Sequence, residues 1–529
     1  MYTIESYKQP FWAKGGNFTR GRDPLGIQNS SISVYSTLLP GMTNLTLRLR
    51  YYGFYLWLLE QYHNLPESTT FKQSSSGQYT FIRRSELILA YLMRNKFPKE
   101  QSVIGSNFAE NNIGEVNDKG YYDIALGADK NKDTIKGSVY WDYTSGALGQ
   151  YYAGSLINLN LINISEDYFE RTDLDGKELA DAYGMSLSET CKQLLLKRIS
   201  EGKLYLEDLD SLTDIALNQK ITNTPEGDFY IKMLTNNDGE KSKTANQEIA
   251  EQRRESIQLF LSIVQNSTKP KAWNNLAQLS YYKCVNAKKE SVSEAVYGWY
   301  YYYLNEIAHH SLEVVFWGLL KEMDNSNYSL QQFLNETTEK VVACFNNTNT
   351  SLQEYLEQLN TESFSISDSL IGISEAVKQN QSIDGICKGV LTLLYLYKDN
   401  ITNSKDINDY AINHFLNAKN GNVMAIFDTY IEKNRELDFK HFLKKTIHTL
   451  LNEHIAVAYK KMGDGEKNLL KFLIEDNYLV HIETMEPNFT SPRLKTLYNF
   501  TRDLALVDKE NKLTNEGEIL LQQLNNVAV

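Results

Sequence analysis

Tyr297-Gly298-Trp299-Tyr300-Tyr301-Tyr302-Tyr303 is followed by Leu304, Ala308, Leu312, Val315, Phe316 and Leu319. An apolar set that recurs every three or four residues predicts a helix. Apolar side chains on several of its sides predict one surrounded by neighbours. The aromatic block could stack on bases, but its continuation at helical spacing makes it the centre of a core. Around it, Pro270 and Pro487 bracket a stretch without proline. Proline costs about 3 kcal/mol inside a helix, so such a stretch reads as a helical array. Further apolar sets follow the same period: Leu330, Phe333 and Leu334; Val341, Val342 and Phe345; Leu370, Ile371, Ile373 and Val377; Leu391, Leu393, Leu394 and Leu396. Turn clusters such as Asn346-Asn347-Thr348-Asn349 and Asp399-Asn400 separate them. Eight to ten helices are expected between the two prolines.

The chain has 529 residues, enough for three or four units at about 150 residues each, and 42% apolar residues supply several cores. A net charge of −12 excludes a basic coat over the whole protein, so any nucleic-acid contact must come from a local patch. Cys191, Cys284, Cys344 and Cys387 lie far apart, with no metal or redox spacing, and read as reduced, buried thiols. The first residues lack a secretory pattern, and stretches such as Leu312–Leu320 are too short for a bilayer. A cytoplasmic protein without membrane contact is expected.

The expected organisation is mainly α: a multi-helical array with two winged-helix-like segments carrying short β-hairpins. Residues 1–218 form an N-terminal helical region with a loop-rich lead-in and a first winged-helix-like segment at about 81–185. A polar connector spans 219–246, an all-helical domain 247–462, and a C-terminal winged-helix-like domain 463–529. Helices are expected over about Thr43–Tyr62, with Thr43 as cap, over Arg84–Asn95, and from Ala245 to Val264. Residues 64–80 read as a polar loop and 110–137 as irregular.

The two winged-helix-like segments share a pattern. In the later one a helix starts with Pro492 after a Ser491 cap and ends in Leu504-Ala505-Leu506-Val507. A charged loop Asp508–Lys512 and a helix opening with Thr514 and Gly517 follow, and 466–482 would supply an earlier helix and strand. In the earlier one a helix over Ala147–Asn158 ends in Leu159-Asn160-Leu161-Ile162, and Asp173-Leu174-Asp175-Gly176 matches Thr514-Asn515-Glu516-Gly517. A capping side chain three residues before glycine is expected in both. The later helix carries Arg493, Lys495 and Arg502, and Lys509 and Lys512 follow in its loop. These five are the candidate contacts to phosphates of double-stranded DNA or to a partner. The stretch Ser145–Asn160 has no charged residue, which suits a protein contact or burial.

Motifs of catalysis are missing. Gly239-Glu240-Lys241-Ser242-Lys243-Thr244 only mimics the tail of a P-loop. His309 and His310 face apart on a helix, and Lys444 and Lys445 occupy the turns between His441 and His448, so no metal site or cofactor is expected. Asp428 and Asp438-Phe439-Lys440 have nuclease residue types but a helical context, and read as a solvated face. One further cluster, Arg20, Arg22, Arg48 and Arg50, has only Asp23 among it to balance the charge. It reads either as an anion or partner site or as arginines paired with acids elsewhere.

The run Asp23-Pro24-Leu25-Gly26, Leu38-Leu39-Pro40-Gly41-Met42-Thr43-Asn44 and Arg48-Leu49-Arg50-Tyr51-Tyr52 resembles the N-terminus of bacterial proteins from anti-phage defence and mobile-element gene clusters. The helix from Trp299 to Met323 and the two winged-helix-like segments are similar in style. The resemblance covers about a third of the chain. It implies a subunit or adaptor whose nuclease, helicase or ATPase partner is another chain, and it carries over no catalytic residue. Three readings follow: a non-enzymatic scaffold or sensor subunit that holds DNA or a partner, a metal-dependent nuclease with acids gathered from distant segments, and a transcriptional regulator.

Overall fold

The computed structural model describes residues 23–527, apart from 73, 115, 117–119, 236–246, 268, 270, 286–288, 325–327, 415, 417–421 and 464–468. It is mainly helical, and the sheets among the described residues are three two-stranded antiparallel pairs. No helix among those residues is long and apolar enough to cross a membrane. The chain forms two compact units, one from 1–35 and 277–490, the other from 36–276 and 491–529. Neither is continuous, so the expected boundaries do not coincide with them. One reason is the helix Gln247–Asn266, which packs on Pro225–Thr235 and on the last helix, Asn515–Val527, and so belongs with the N-terminal half.

The first unit is built round the helix Glu294–Asp324, whose side chains are buried on all sides. Tyr297 and Tyr301 pack on Tyr410, Tyr300 packs on Tyr281, and Trp299 meets Tyr302, so the aromatic block is core. Its closest companion is Ser382–Asn400. Glycines permit the approach: a Cβ on Gly318 would lie 2.7 Å from Ser382 O, and one on Gly389 2.8 Å from Ser311 O. Nine α-helices run from Leu276 to Gly463 among the described residues, within the expected eight to ten. A hairpin, Phe472–Glu475 with Tyr478–His481, turns through Asp476 and Asn477, both at positive φ as a tight two-residue turn requires. This hairpin falls in the first unit, and the C-terminal segment from 491 onward falls in the second.

In the second unit the buried helix Arg50–His63 packs on Asp175–Met185. It starts seven residues later than expected, because Thr43 closes a local turn instead: its Oγ1 accepts from Thr46 N at 3.1 Å. The helix Ser75–Lys96 starts nine residues earlier than expected. Its Gly77 sits where a Cβ would meet Phe71 O at 2.3 Å, so the Ser-rich stretch is packed rather than a loop. That helix also fastens the Gly-rich region beyond it. Buried Arg83 donates to the carbonyls of Ala128 (2.6 Å), Tyr143 (2.6 Å) and Trp141 (2.9 Å). Buried Glu86 accepts from Tyr55 Oη (2.8 Å), Ala147 N (3.1 Å) and Leu148 N (2.9 Å), and from Tyr140 Oη. The uncharged helix Ala153–Asn158, with the π-helical turn Leu148–Tyr152 before it, thus has a carboxylate at its start, where the helix dipole favours one.

The two segments matched by sequence share one backbone device. Asn160 (φ 57°) and Ala505 (φ 54°) end their helices in the left-handed region. Leu161 N then donates to Leu156 O, and Leu506 N to Thr501 O, both at 2.8 Å. Thr172 and Thr514 return the chain: each backbone N donates to the carbonyl of Leu161 or Leu506, and each hydroxyl to that of Asn160 or Ala505. The same hydroxyls accept from Gly176 N and Gly517 N. The earlier cap is therefore Thr172, four residues before its glycine, and not Asp173. Between these points the earlier segment has a hairpin, Ile162–Ser165 with Tyr168–Arg171, whereas the later has only the bridge Val507–Leu513. A Cβ on Gly176 or Gly517 would lie 2.2 Å from the carbonyl oxygen of Leu161 or Leu506. Glycine to alanine inside a helix ordinarily stabilises by about 1 kcal/mol. Here the sign reverses: Gly517→Ala and Gly176→Ala are each expected to destabilise by about 1–3 kcal/mol, the range of core overpacking, as read by urea unfolding.

Candidate anion-binding cleft

The helix Leu494–Asp503 is strongly amphipathic. Leu494, Leu497, Phe500 and Thr501 point inward, while Lys495, Asn499 and Arg502 follow one another at three- and four-residue spacing on the other face. The helix starts two residues later than expected, because Arg493 adopts a left-handed conformation (φ 63°). Arg493 turns inward and donates to Leu39 O (3.1 Å) and Ser36 Oγ (2.9 Å). Thr496 Oγ1 donates to Thr43 O at 2.7 Å, so the first turn is tied to the segment 36–46.

The second half of the polar face lines a cleft of about 420 Å³. Tyr498, Asn499, Arg502 and Asp503 form one wall, and the loops Lys99–Ser102 and Leu217–Lys220 with Thr222 form the others. Tyr498 stacks on buried Trp273, ring centroids 4.9 Å apart, and Arg502 Nη1 donates to Tyr498 Oη at 3.2 Å. Arg48 lies at the base. Its guanidinium donates to Glu100 Oε2 (2.9 Å), Leu217 O (2.8 Å) and Asp503 Oδ2 (3.4 Å). Burial opposes its charge, but Asp503 and Glu100 outweigh burial and hold its pKa above the usual value. Both acids of the cleft are thereby committed to Arg48. The remaining cations, Lys99, Lys220 and Arg502, have no carboxylate within ion-pair distance among the described residues. Four cations against two carboxylates leave the cleft with a net charge of +2 inside a protein of −12.

The other expected site residues are dispersed. Lys495 is exposed on the first turn, outside the cleft; Lys509 is exposed, and Lys512 pairs with Glu510 at 3.0 Å. Arg50 is buried and donates to Glu226 Oε2 (3.3 Å), Asp214 O (2.7 Å), Ser186 Oγ (2.9 Å) and Ala216 O. Arg48 and Arg50 thus follow the paired reading of their cluster, and Arg20 and Arg22 lie outside the described residues, as does the P-loop-like run 239–244. Sequence reading missed Lys99 and Lys220, which sit in separate loops without a local pattern.

Among the described residues no three His, Cys, Asp or Glu side chains gather to hold an ion. Asp438 binds His441, Lys440 pairs with Glu339, and Asp428 pairs with Lys433. His454 is buried between Pro24 O (3.0 Å from Nδ1) and Lys471 N (3.0 Å from Nε2). Of the cysteines, Cys191, Cys284 and Cys387 are buried, but Cys344 is exposed. No protein-family model, curated protein or solved structure matches the chain.

Proposed function

We propose that this chain is a non-enzymatic binding subunit that holds nucleic acid by its phosphates in the cleft beside the helix Leu494–Asp503. The observation that carries this reading is the gathering of Lys99, Lys220 and Arg502 at one cleft whose acids are already paired, in a protein otherwise strongly acidic. A locally positive site in an acidic body attracts polyanions to that site and repels them elsewhere. The two segments with the shared cap device are read as winged-helix-like modules. The setting, a bacterial multi-protein system of the anti-phage defence type, rests on the resemblance of the 23–52 region alone. Contact with a partner protein has its own support: Ile157, Ile164 and Leu174, on or beside the earlier hairpin, are 42%, 54% and 74% exposed. For the nuclease alternative the described residues offer no carboxylate cluster, and no observation favours a regulator.

Binding of a labelled oligonucleotide should weaken steeply between about 50 and 200 mM salt, as counterion release requires. Arg502→Glu and Lys220→Glu should each lower affinity by about tenfold or more and flatten the salt slope by about one unit, since each removes a phosphate contact. Fluorescence anisotropy reads both. Unchanged binding in both variants would remove the cleft from consideration.

A further inference from the structure

We infer that the cleft takes single-stranded rather than duplex nucleic acid, an inference that rests on reading it as a phosphate-binding site. Duplex readout needs a helix that protrudes into a groove about 12 Å wide and presents its N-terminal residues to base edges. The helix Leu494–Asp503 does neither. Its N-terminal turn is fastened from within by Arg493 to Ser36 and Leu39, and by Thr496 to Thr43. The second half of its polar face lines the cleft: Tyr498, Asn499 and Arg502 are half-buried and form one wall, and the loops Lys99–Ser102 and Leu217–Lys220 form the others. The turn that would act as a wing carries Asp508, Lys509, Glu510 and Lys512, which sum to no net charge, and Asp508 Oδ1 is occupied by Glu510 N and Lys512 N. A surface that grips a duplex backbone needs cations there.

What the cleft does offer fits one strand. Lys99, Lys220 and Arg502 give a short positive track, and Gln101, Asn218 and Asn499 line the same space. Amide side chains both donate and accept, which matches the Watson–Crick edges that an unpaired base exposes. An acidic peptide would need donors only.

The test uses the full chain and a fluorescein-labelled strand of about 20 nucleotides, alone or annealed to its complement, an ample length for a single-strand site of about 4–16 nucleotides. The single strand is expected to bind at least about tenfold more tightly than the duplex, with Lys220→Glu and Arg502→Glu weakening it by a similar factor. Asn499→Ala, which keeps every charge, should weaken the strand and leave the salt slope unchanged. Equal or tighter duplex binding that still depends on Lys220 and Arg502 overturns the inference and spares the phosphate-site reading. Binding of neither form, or binding indifferent to both charge reversals, overturns the two together. Displacement of the strand by polyglutamate at matched charge concentration would make the occupant an acidic polypeptide and also overturn it. Circular dichroism melting of each variant, unchanged from the parent, separates lost binding from lost fold.

Discussion

Arg50→Met is expected to destabilise the second unit by about 3–5 kcal/mol, the cost of removing one partner from a buried ion pair. Arg50 and Glu226 are 2% and 0% exposed at the side chain. Without the guanidinium, Glu226 keeps only the hydroxyls of Tyr230, at 3.3 Å, and Ser186 as hydrogen-bond donors. The carbonyls of Asp214 and Ala216 each lose a donor as well, although Ala216 O keeps Gln219 N at 3.3 Å. Methionine fills most of the volume, so the loss reports charge and hydrogen bonds rather than a cavity. The double variant Arg50→Met/Glu226→Leu should recover much of it, because replacing a buried pair by apolar residues is often close to neutral. A double-mutant cycle in urea measures the coupling. The outcome also judges the two readings of the arginine cluster. An arginine at an anion site would leave stability within about 0.5 kcal/mol, as surface changes do, and would lower oligonucleotide affinity instead.

What sequence reveals here follows the range of the interaction. The helix Glu294–Asp324 was legible because periodicity is local, and the match of Leu159–Ile162 to Leu504–Val507 was legible because a left-handed cap imposes local demands. Even so, Thr172 rather than Asp173 proved to be the cap, since a longer loop shifts the hydroxyl by one residue. A third copy of that hydroxyl-to-glycine contact went unread: Thr224 Oγ1 accepts from Gly227 N, and a Cβ on Gly227 would meet Ile221 O at 2.1 Å. Nothing flanking it resembles the other two. Within the stretch 110–137 that looked irregular, Ala128 is held by Arg83, on a helix far back in the chain. The cleft was half visible: Arg502 lies on a helix with a clear polar face, whereas Lys99 and Lys220 reach it through long-range folding. For Arg48 and Arg50 the sequence left the paired reading and the anion-site reading both open, because the acids that neutralise them, Glu100, Glu226 and Asp503, are distant in sequence. The discontinuity of the two units has the same origin, since periodicity carries no information on which helices return to pack together.

His309→Gln is expected to destabilise the first unit by about 3–5 kcal/mol near neutral pH, because it leaves two buried carboxylates without their cation. His309 is fully buried in the central helix, with Nε2 2.9 Å from Glu313 Oε1 and Nδ1 3.9 Å from Glu306 Oε2. The same carboxylates anchor the segment Asn488–Thr490. Glu313 Oε2 accepts from Asn488 N at 3.0 Å, Glu306 Oε2 from Thr490 Oγ1 at 2.8 Å, and Glu306 Oε1 from Thr490 N. Burial opposes the imidazolium, but Glu313 and Glu306 outweigh it and raise its pKa from 6.5 to about 10. A group with a raised folded pKa binds its proton more tightly when folded, so its contribution is complete below about 6.5 and drains away as pH rises towards 10. His310 beside it has the opposite sign. Burial, reinforced by the charge on His309, lowers its pKa to about 4, so its contribution is present above 6.5 and is lost as pH falls towards 4. Unfolding free energy should therefore fall from pH 7 to 9 in the parent, where one proton's linkage amounts to about 1.4 kcal/mol per pH unit. His309→Gln should flatten that slope by about this amount, while loss of stability on the acid side persists. Urea titrations at a series of pH values give the difference directly. An alkaline slope unchanged by the substitution would mean that His309 is neutral in the fold and that the two glutamates hold residues 488–490 without it.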